Sequence, residues 1–292
     1  MNNKCPNLNC DLFQKSLTVI KDGFFFRSSD SRKIQRFKCK SCSTKFSNAT
    51  FSRARYQKKR RLNSLIFKLI SSGISIRRTA KILNIHQDTV SKKIEFLAKS
   101  SREKQEKLRQ KLSNKVSRLQ IDDLITIEHT KLKPVSISVA VDVKTRTILA
   151  AEVSKIPAFG HLAEISKRKY GHRKSELKEG LSRLFENIAP CIQKDSLVES
   201  DEHKLYPVFL RKYLTNYEHK QYKGGKGCVA GQGELKKLGH DPLFIINHTM
   251  AMFRANINRL IRKTWCTTKR LEMLKNHIDI FIWYYNSEIL SG

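Results

Sequence analysis

Apolar residues recur along this chain with two periods, and the change of period divides it. Before Leu119 the spacing is helical or irregular; after it, strand-like. Leu62–Ile70 reads as a helical run that Gly73 closes, and Ser75 opens another in which Ile76, Ala80 and Leu83 fall at i, i+4 and i+7. After a short turn, Asn84–Ile85–His86, the pattern of Gln87–Leu97 predicts a further helix with Val90, Ile94 and Leu97 inward. Ser100–Arg118 is rich in helix formers and poor in apolar residues, as a connecting helix would be. LQIDDLITIEH, Pro134–Val143 and Thr145–Lys155 then follow as three β-rich runs, with Lys144–Thr145 as a hairpin turn. A helical region at Ser175–Gln193 leads to a short buried strand, Ser196–Ser200, that ends in Asp201. Helical turns, a short strand around His219–Tyr222 and an amphipathic segment, Asn247–Thr264, come last. Strands first as a meander, then alternating with helices, indicate an α/β fold with a mixed sheet.

Charge narrows the partners. The 292 residues hold 58 Lys plus Arg against 26 Asp plus Glu, a formal net charge of +32. Self-repulsion on that scale favours a polyanionic partner, nucleic acid first and anionic lipid second. Residues 1–121 carry 30 basic and 7 acidic side chains, the remainder 28 and 19. The first part is therefore the expected DNA-gripping region, although any single charge run is as readily a solvated face. Apolar runs are short and broken by Lys or Arg, so no segment is expected to span a bilayer. The start, MNNKCPNLNC, lacks the apolar stretch of a signal peptide, and the expected location is cytoplasmic.

Four of the seven cysteines form two close pairs, Cys5 with Cys10 and Cys39 with Cys42. C-x4-C and C-x2-C flanking strand-like runs (Leu17–Ile20, Phe24–Phe26) suit a structural, tetrahedral zinc in a ribbon. A unit under 50 residues has too little core to fold unaided, so the metal would supply stability. Free thiols are the bland alternative; Cys191, Cys228 and Cys266 are isolated and read as ordinary buried thiols. The basic run Arg53–Arg61, with Arg60 and Arg61, leads into the two helices around Asn84, where Ala80 and Ile85 fit the tight crossing of a helix-turn-helix. Arg77 and Arg78 lie on its first helix. Gln87, Thr89 and Ser91 would read base edges at the exposed start of the second, and Lys92 and Lys93 would hold phosphates. A plain αα-hairpin is the alternative.

Among the carboxylates, Asp122 lies within the first strand of the later half and Asp201 ends the fourth. Neighbouring strands would bring them together, and hard oxygen ligands suit Mg²⁺ or Mn²⁺. Asp123 must face the other side of the sheet, so at most one of the adjacent pair is a ligand. An Asp at a strand end is, on position alone, more often a turn or cap residue.

The motifs CPNLNC, IQRFKCKSCSTKF, RRTAKILNIHQDTVSKKI, LQIDDL, EHTKLKPVSISVAVD, SDEHKLYP and FRANINRLIRKTWCTTKRLE span nearly the whole chain in one order. That order resembles bacterial insertion-sequence transposases, with an N-terminal zinc ribbon, a helix-turn-helix and an RNase H-like DDE-type core. The resemblance implies a zinc ribbon over 1–52, a helix-turn-helix over 53–99, a linker helix over 100–118 and an RNase H-like catalytic domain over 119–292. It implies binding to the terminal inverted repeats of a mobile element, then Mg²⁺- or Mn²⁺-dependent strand cleavage and transfer, by a homo-oligomer acting on two DNA ends. Asp122 maps to the family's first catalytic acid and Asp201, in D-x-x-x-x-Y-P, to its second. The third, a Glu about two turns before Arg254, maps to Asn247 and departs from the family. Asn247 as a tolerated ligand, substitution by Asp241 or Glu272, and an impaired enzyme that only binds DNA remain open. Arg254, Arg259, Arg262 and Lys263 on the late helix would clamp phosphates or merely face solvent, and His203 is expected to pack. A tyrosine recombinase is disfavoured, because no Arg follows His161, His172 or His248 at the third position.

Overall fold

The computed structural model describes residues 4–11, 13, 19–28, 31–223, 241–261 and 267–290. By its internal contacts the chain forms two compact units, Met1–Leu65 and Ile66–Gly292.

In the first unit, β1 (Val19–Arg27) pairs antiparallel with β2 (Arg32–Cys39), which pairs antiparallel with the short β3 (Lys45–Ser47). Leu17 and Thr18 of the expected first strand lie outside the described residues. Besides the cysteines, the buried apolar residues among those described are Phe37 and Phe46, whose rings stand 5.8 Å apart. That is little apolar surface for a unit of this length.

The second unit begins within α1 (Asn63–Ser71) and continues into α2 (Ile76–Ile82) and α3 (Gln87–Lys111). Ser75 caps α2 by accepting the Arg78 N–H, and the turn holds Asn84 at φ +47° while Ile85 N–H bonds the Ala80 carbonyl. One unbroken helix, α3, covers both the expected second helix and most of the expected connector. No Gly or Pro interrupts it, and its polar residues are used: Arg102 and Gln105 bond Asp279 of α8 (Leu271–Tyr284).

The sheet comprises β4 (Val116–Glu128), β5 (Thr130–Asp142), β6 (Ile148–Lys155), β7 (Ile192–Asp201) and β8 (Tyr217–Tyr222), in the order β6-β5-β4-β7-β8. β4, β5 and β6 form the antiparallel meander, whereas β4, β7 and β8 run parallel. One face packs on α7 (Phe244–Asn256) and α8 through Ile137, Val139, Phe253, Ile278 and Phe281. The other packs on α5 (Leu177–Ile188) and α6 (Tyr206–Tyr213) through Leu119, Ile121, Leu184, Phe185 and Tyr206. α5 lies so close to β6 that a Cβ at Gly180 would stand 1.9 Å from Ser154 Oγ. The chain is thus a mixed α/β fold with helices on both faces of a five-stranded sheet.

Several boundaries differ from those the sequence predicts. α5 stops at Ile188 rather than Gln193 because Pro190 converts the chain to a 3-10 turn, and β7 starts at Ile192 rather than Ser196. α7 ends at Asn256; Ile257 is extended and a separate 3-10 turn, Asn258–Leu260, follows. α4 (Leu162–Tyr170) has no counterpart in the periodicity reading. Among the described residues no helix is long and apolar enough to cross a membrane.

Candidate functional sites

Parallel pairing of β4 with β7 sets Gln120 beside Glu199 and Ile121 beside Ser200, so Asp122 and Asp201 occupy the next register position. By the period of two they share the face of Gln120 and Glu199. That face looks toward α7: Gln120 accepts the Ile246 N–H and donates to the Pro242 carbonyl and to Glu199. Burial, and then the nearby charge of Asp201, push the Asp122 carboxyl up to about 7; the Asp123 N–H and Arg254 pull the other way. A divalent cation would stabilise the ionised Asp122 carboxyl that burial opposes, and the two carboxylates offer hard oxygen donors that fit Mg²⁺ or Mn²⁺. Asp201 also accepts the His203 N–H at 3.1 Å, and the His203 ring packs on Tyr206 at 5.1 Å. Asp123 turns away and accepts the hydroxyls of Ser136 and Ser138.

Asn247 lies in the first turn of α7, where its amide donates to Asp241 Oδ2 at 3.0 Å. Glu272 lies elsewhere, at the start of α8, ion-paired with Arg270 at 2.9 Å. Among the described residues no third Asp, Glu, His or Cys joins Asp122 and Asp201 with all ligand atoms within 4.8 Å of one another.

The four paired cysteines do converge. Their sulfurs all lie within 4.8 Å of one another, with Cys5 and Cys42 at 3.5 Å and Cys10 and Cys39 at 3.9 Å. Sulfurs arranged tetrahedrally at roughly 2.3 Å from zinc stand about 3.8 Å apart, so the set is able to hold that ion. Cys39 ends β2 and Cys42 lies in the following turn, where Ser43 takes φ +58°. Hydrogen bonding with the side chain and backbone of Thr44 lowers the Cys42 thiol to about 6, and the backbone N–H of Cys42 is the main cause that lowers Cys39. Burial raises Cys5 to about 12. Cys191 is buried and free; Cys228 and Cys266 lie outside the described residues.

The expected DNA contacts divide. Arg61, Arg77, Arg78, Gln87 and Lys92 are exposed, while Arg60, Thr89 and Ser91 are half-buried. Lys93 corrects the reading that put it on the exposed face: it is buried beside Val90, Ile94 and Leu97, and burial lowers its pKa. Positions 90, 93, 94 and 97 make one helical stripe, so Lys93 belongs to the inner face. Arg254 is half-buried on α7 within electrostatic reach of Asp122. Arg259 sits in the 3-10 turn rather than on the late helix, which has already ended; Arg262 and Lys263 lie outside the described residues.

A polar network next to the acids escaped the sequence reading. Glu199, 1% exposed, accepts both Nε and Nη2 of Arg118 at 2.9 Å, together with Gln120 and the Tyr222 hydroxyl. Burial opposes its ionised form, but the bonds from Arg118 and Gln120 outweigh it and hold its pKa below the ordinary value. Tyr206 is likewise buried beside Asp123, Asp122 and Asp201; burial and then their charges push its phenol well above 10. The signal for Gln120 and Glu199 was the same alternation that places Asp122 and Asp201.

No protein-family description matches the chain, and no curated protein matches it. Among solved structures, a pre-cleavage Mos1 transpososome aligns over 79% of this chain and 79% of that chain, at 10% identity and a TM-score of 0.20. A likeness so slight bears on neither fold nor function.

Proposed function

We propose that this protein is a DNA transposase with an RNase H-like, DDE-type core, which binds the terminal inverted repeats of an insertion sequence and cuts and transfers DNA strands. The observation that carries this reading is Asp122 beside Asp201, on the first and fourth strands of the core, with an Asp122 carboxyl that ionises only near neutrality. These two residues would hold Mg²⁺ or Mn²⁺, which would activate water and stabilise the leaving oxygen of a phosphodiester. Arg254, within electrostatic reach of Asp122, would hold the scissile phosphate. The exposed Gln87 and Lys92 would meet bases and phosphates in the major groove, with Arg77 and Arg78 on the helix before them. The cysteine cluster would carry structural zinc, and a homo-oligomer would pair two DNA ends.

Asn247 supports a second reading. Its amide is bonded to Asp241 and, among the described residues, no third acid completes the pair, which favours a chain that binds DNA but cuts poorly. Should another acid serve as third ligand, Asp241, bonded to Asn247, is the candidate, since Glu272 is ion-paired with Arg270 at the start of α8. Incubation with a labelled terminal-repeat duplex and Mg²⁺ or Mn²⁺ separates the two. Nicking at the repeat end that Asp201→Ala abolishes supports the enzyme; specific binding with no nick in either metal supports the DNA-binding remnant.

A further inference from the structure

Neither the acidic pair nor the helix-turn-helix face accounts for a second basic concavity in the Ile66–Gly292 unit. A pocket of about 420 Å³ opens where the start of α2 meets the turn Asn258–Leu260 and the start of α8. Arg77, Arg259, Lys269 and Arg270 line it, and among the described residues its lining includes no carboxylate. Arg77, Lys269 and Arg270 are exposed, whereas Arg259 is half-buried. Glu272, outside the lining, offsets part of the Arg270 charge.

The wall formed by α8 contributes His277, which is 3% exposed and, among the described residues, has no hydrogen-bond partner on either ring nitrogen. A buried imidazole with both polar atoms unused is costly, and such groups point to a missing partner. Burial, and then the charge of Arg259, lower its pKa to about 3. At neutral pH the ring is therefore uncharged and retains one N–H to donate. The pocket is also braced. Asn258 Nδ2 donates to the Gly73 carbonyl at 3.0 Å, which ties the Arg259 turn to the loop before α2. Gly73 takes φ +74°, and a Cβ there would stand 3.3 Å from the Ala255 carbonyl oxygen, so the loop needs glycine for both conformation and space.

We propose that this pocket seats a phosphate group, gripped by Arg77, Arg259, Lys269 and Arg270 and given a neutral N–H by His277. Guanidinium groups bind phosphate oxygens in pairs, and a neutral donor adds direction without adding charge. The occupant is a DNA backbone phosphate, an assignment of source that rests on the DNA-binding reading above. Seated next to α2, it would fix the register of the helix-turn-helix on the duplex, as backbone contacts do.

The test uses the full-length protein, with inorganic phosphate titrated by calorimetry and a labelled duplex titrated by anisotropy over a range of salt. Lys269→Ala/Arg270→Ala changes only exposed side chains and should leave folding intact; His277→Gln reports the inner wall. For the double variant we expect phosphate affinity to fall about tenfold and the slope of log K against log salt to drop by about 1. A 15N-imidazole resonance assigned to His277 by its loss in His277→Gln should shift on phosphate addition. Unchanged phosphate affinity and unchanged slope in the double variant would overturn the pocket. Loss of phosphate binding with unaltered duplex binding would uphold the pocket and overturn DNA as its source. If the wild-type chain binds no duplex, the DNA-binding reading falls, and the phosphate titration alone decides the pocket.

Discussion

Burial and the charge of Asp201 raise the Asp122 carboxyl to about 7, against an ordinary value of 3.8, and this turns a candidate catalytic residue into a stability statement. The folded state holds the proton more tightly than the unfolded state. The contribution is therefore fully present below about pH 4 and is lost as pH rises through 7. Asp122→Asn should raise unfolding free energy at pH 8 by roughly 1–3 kcal/mol, a figure discounted because the side chain is only half-buried, and leave it little changed at pH 4. It should also abolish metal-dependent nicking. Denaturant midpoints of both proteins at the two pH values, in magnesium-free buffer, check this; a variant less stable than wild type at pH 8 would sink it. That Asp122 and Asp201 share a face follows from the strand period and the parallel pairing of β4 with β7, whereas their selection among the carboxylates came from the family resemblance. Lys93 was not, since a charged residue inside a helical stripe looks polar until its neighbours at 90, 94 and 97 are seen to be buried. His277 left no mark at all: it sits in a helix buried on nearly every side, where periodicity vanishes.

Between elements, the seam of α3 and α8 is held largely by polar groups. Asp279, 2% exposed at its side chain, accepts Arg102 at 2.6 Å and Lys275 at 3.1 Å, and its backbone carbonyl accepts Gln105 at 2.6 Å. That explains why Ser100–Arg118 reads as a solvated connector: hydrophobic spacing does not register an interface made of Arg, Gln and Asp. Asp279→Ala would strand two cations against the seam and should cost about 2–3 kcal/mol, less than a fully buried pair because Arg102 remains partly in water. Arg102→Ala alone should cost about 1 kcal/mol. The double variant should cost less than the sum, since either change removes the shared contact. Chemical denaturation of the three proteins measures the coupling; strict additivity would show that Arg102 and Asp279 do not depend on each other. The order of the five strands was legible from pattern, but α4 was not, the end of α5 depended on Pro190, and the end of α7 on an Asn-Ile-Asn stretch without strong breaking chemistry.

Over the whole molecule the two units rest on different physics. The Ile66–Gly292 unit has apolar clusters on both faces of its sheet, whereas Met1–Leu65 has Phe37 and Phe46 and a set of four thiols. Divalent zinc bound by four thiolates would supplement the small apolar core seen among the described residues of the smaller unit. The pattern of cysteine spacing made the convergence of the four thiols legible, while the bracing of Cys39 and Cys42 by turn hydrogen bonds was visible only in three dimensions. Zinc should therefore copurify at one ion per chain and fall sharply in Cys39→Ser. Chelation should then unfold one unit without the other. In hydrogen exchange, amides of β1 and β2 should lose protection after zinc is stripped, while those of β4 and β5 keep it. Affinity for a duplex should drop in parallel if the basic first unit grips DNA. Protection in β1 and β2 that survives removal of all bound metal would show that the small unit is held by its strands alone; simultaneous loss in β4 and β5 would show that the sheet depends on the metal too. Either result would contradict a chain in which a metal-stabilised module and an independently cored α/β unit fold on separate terms.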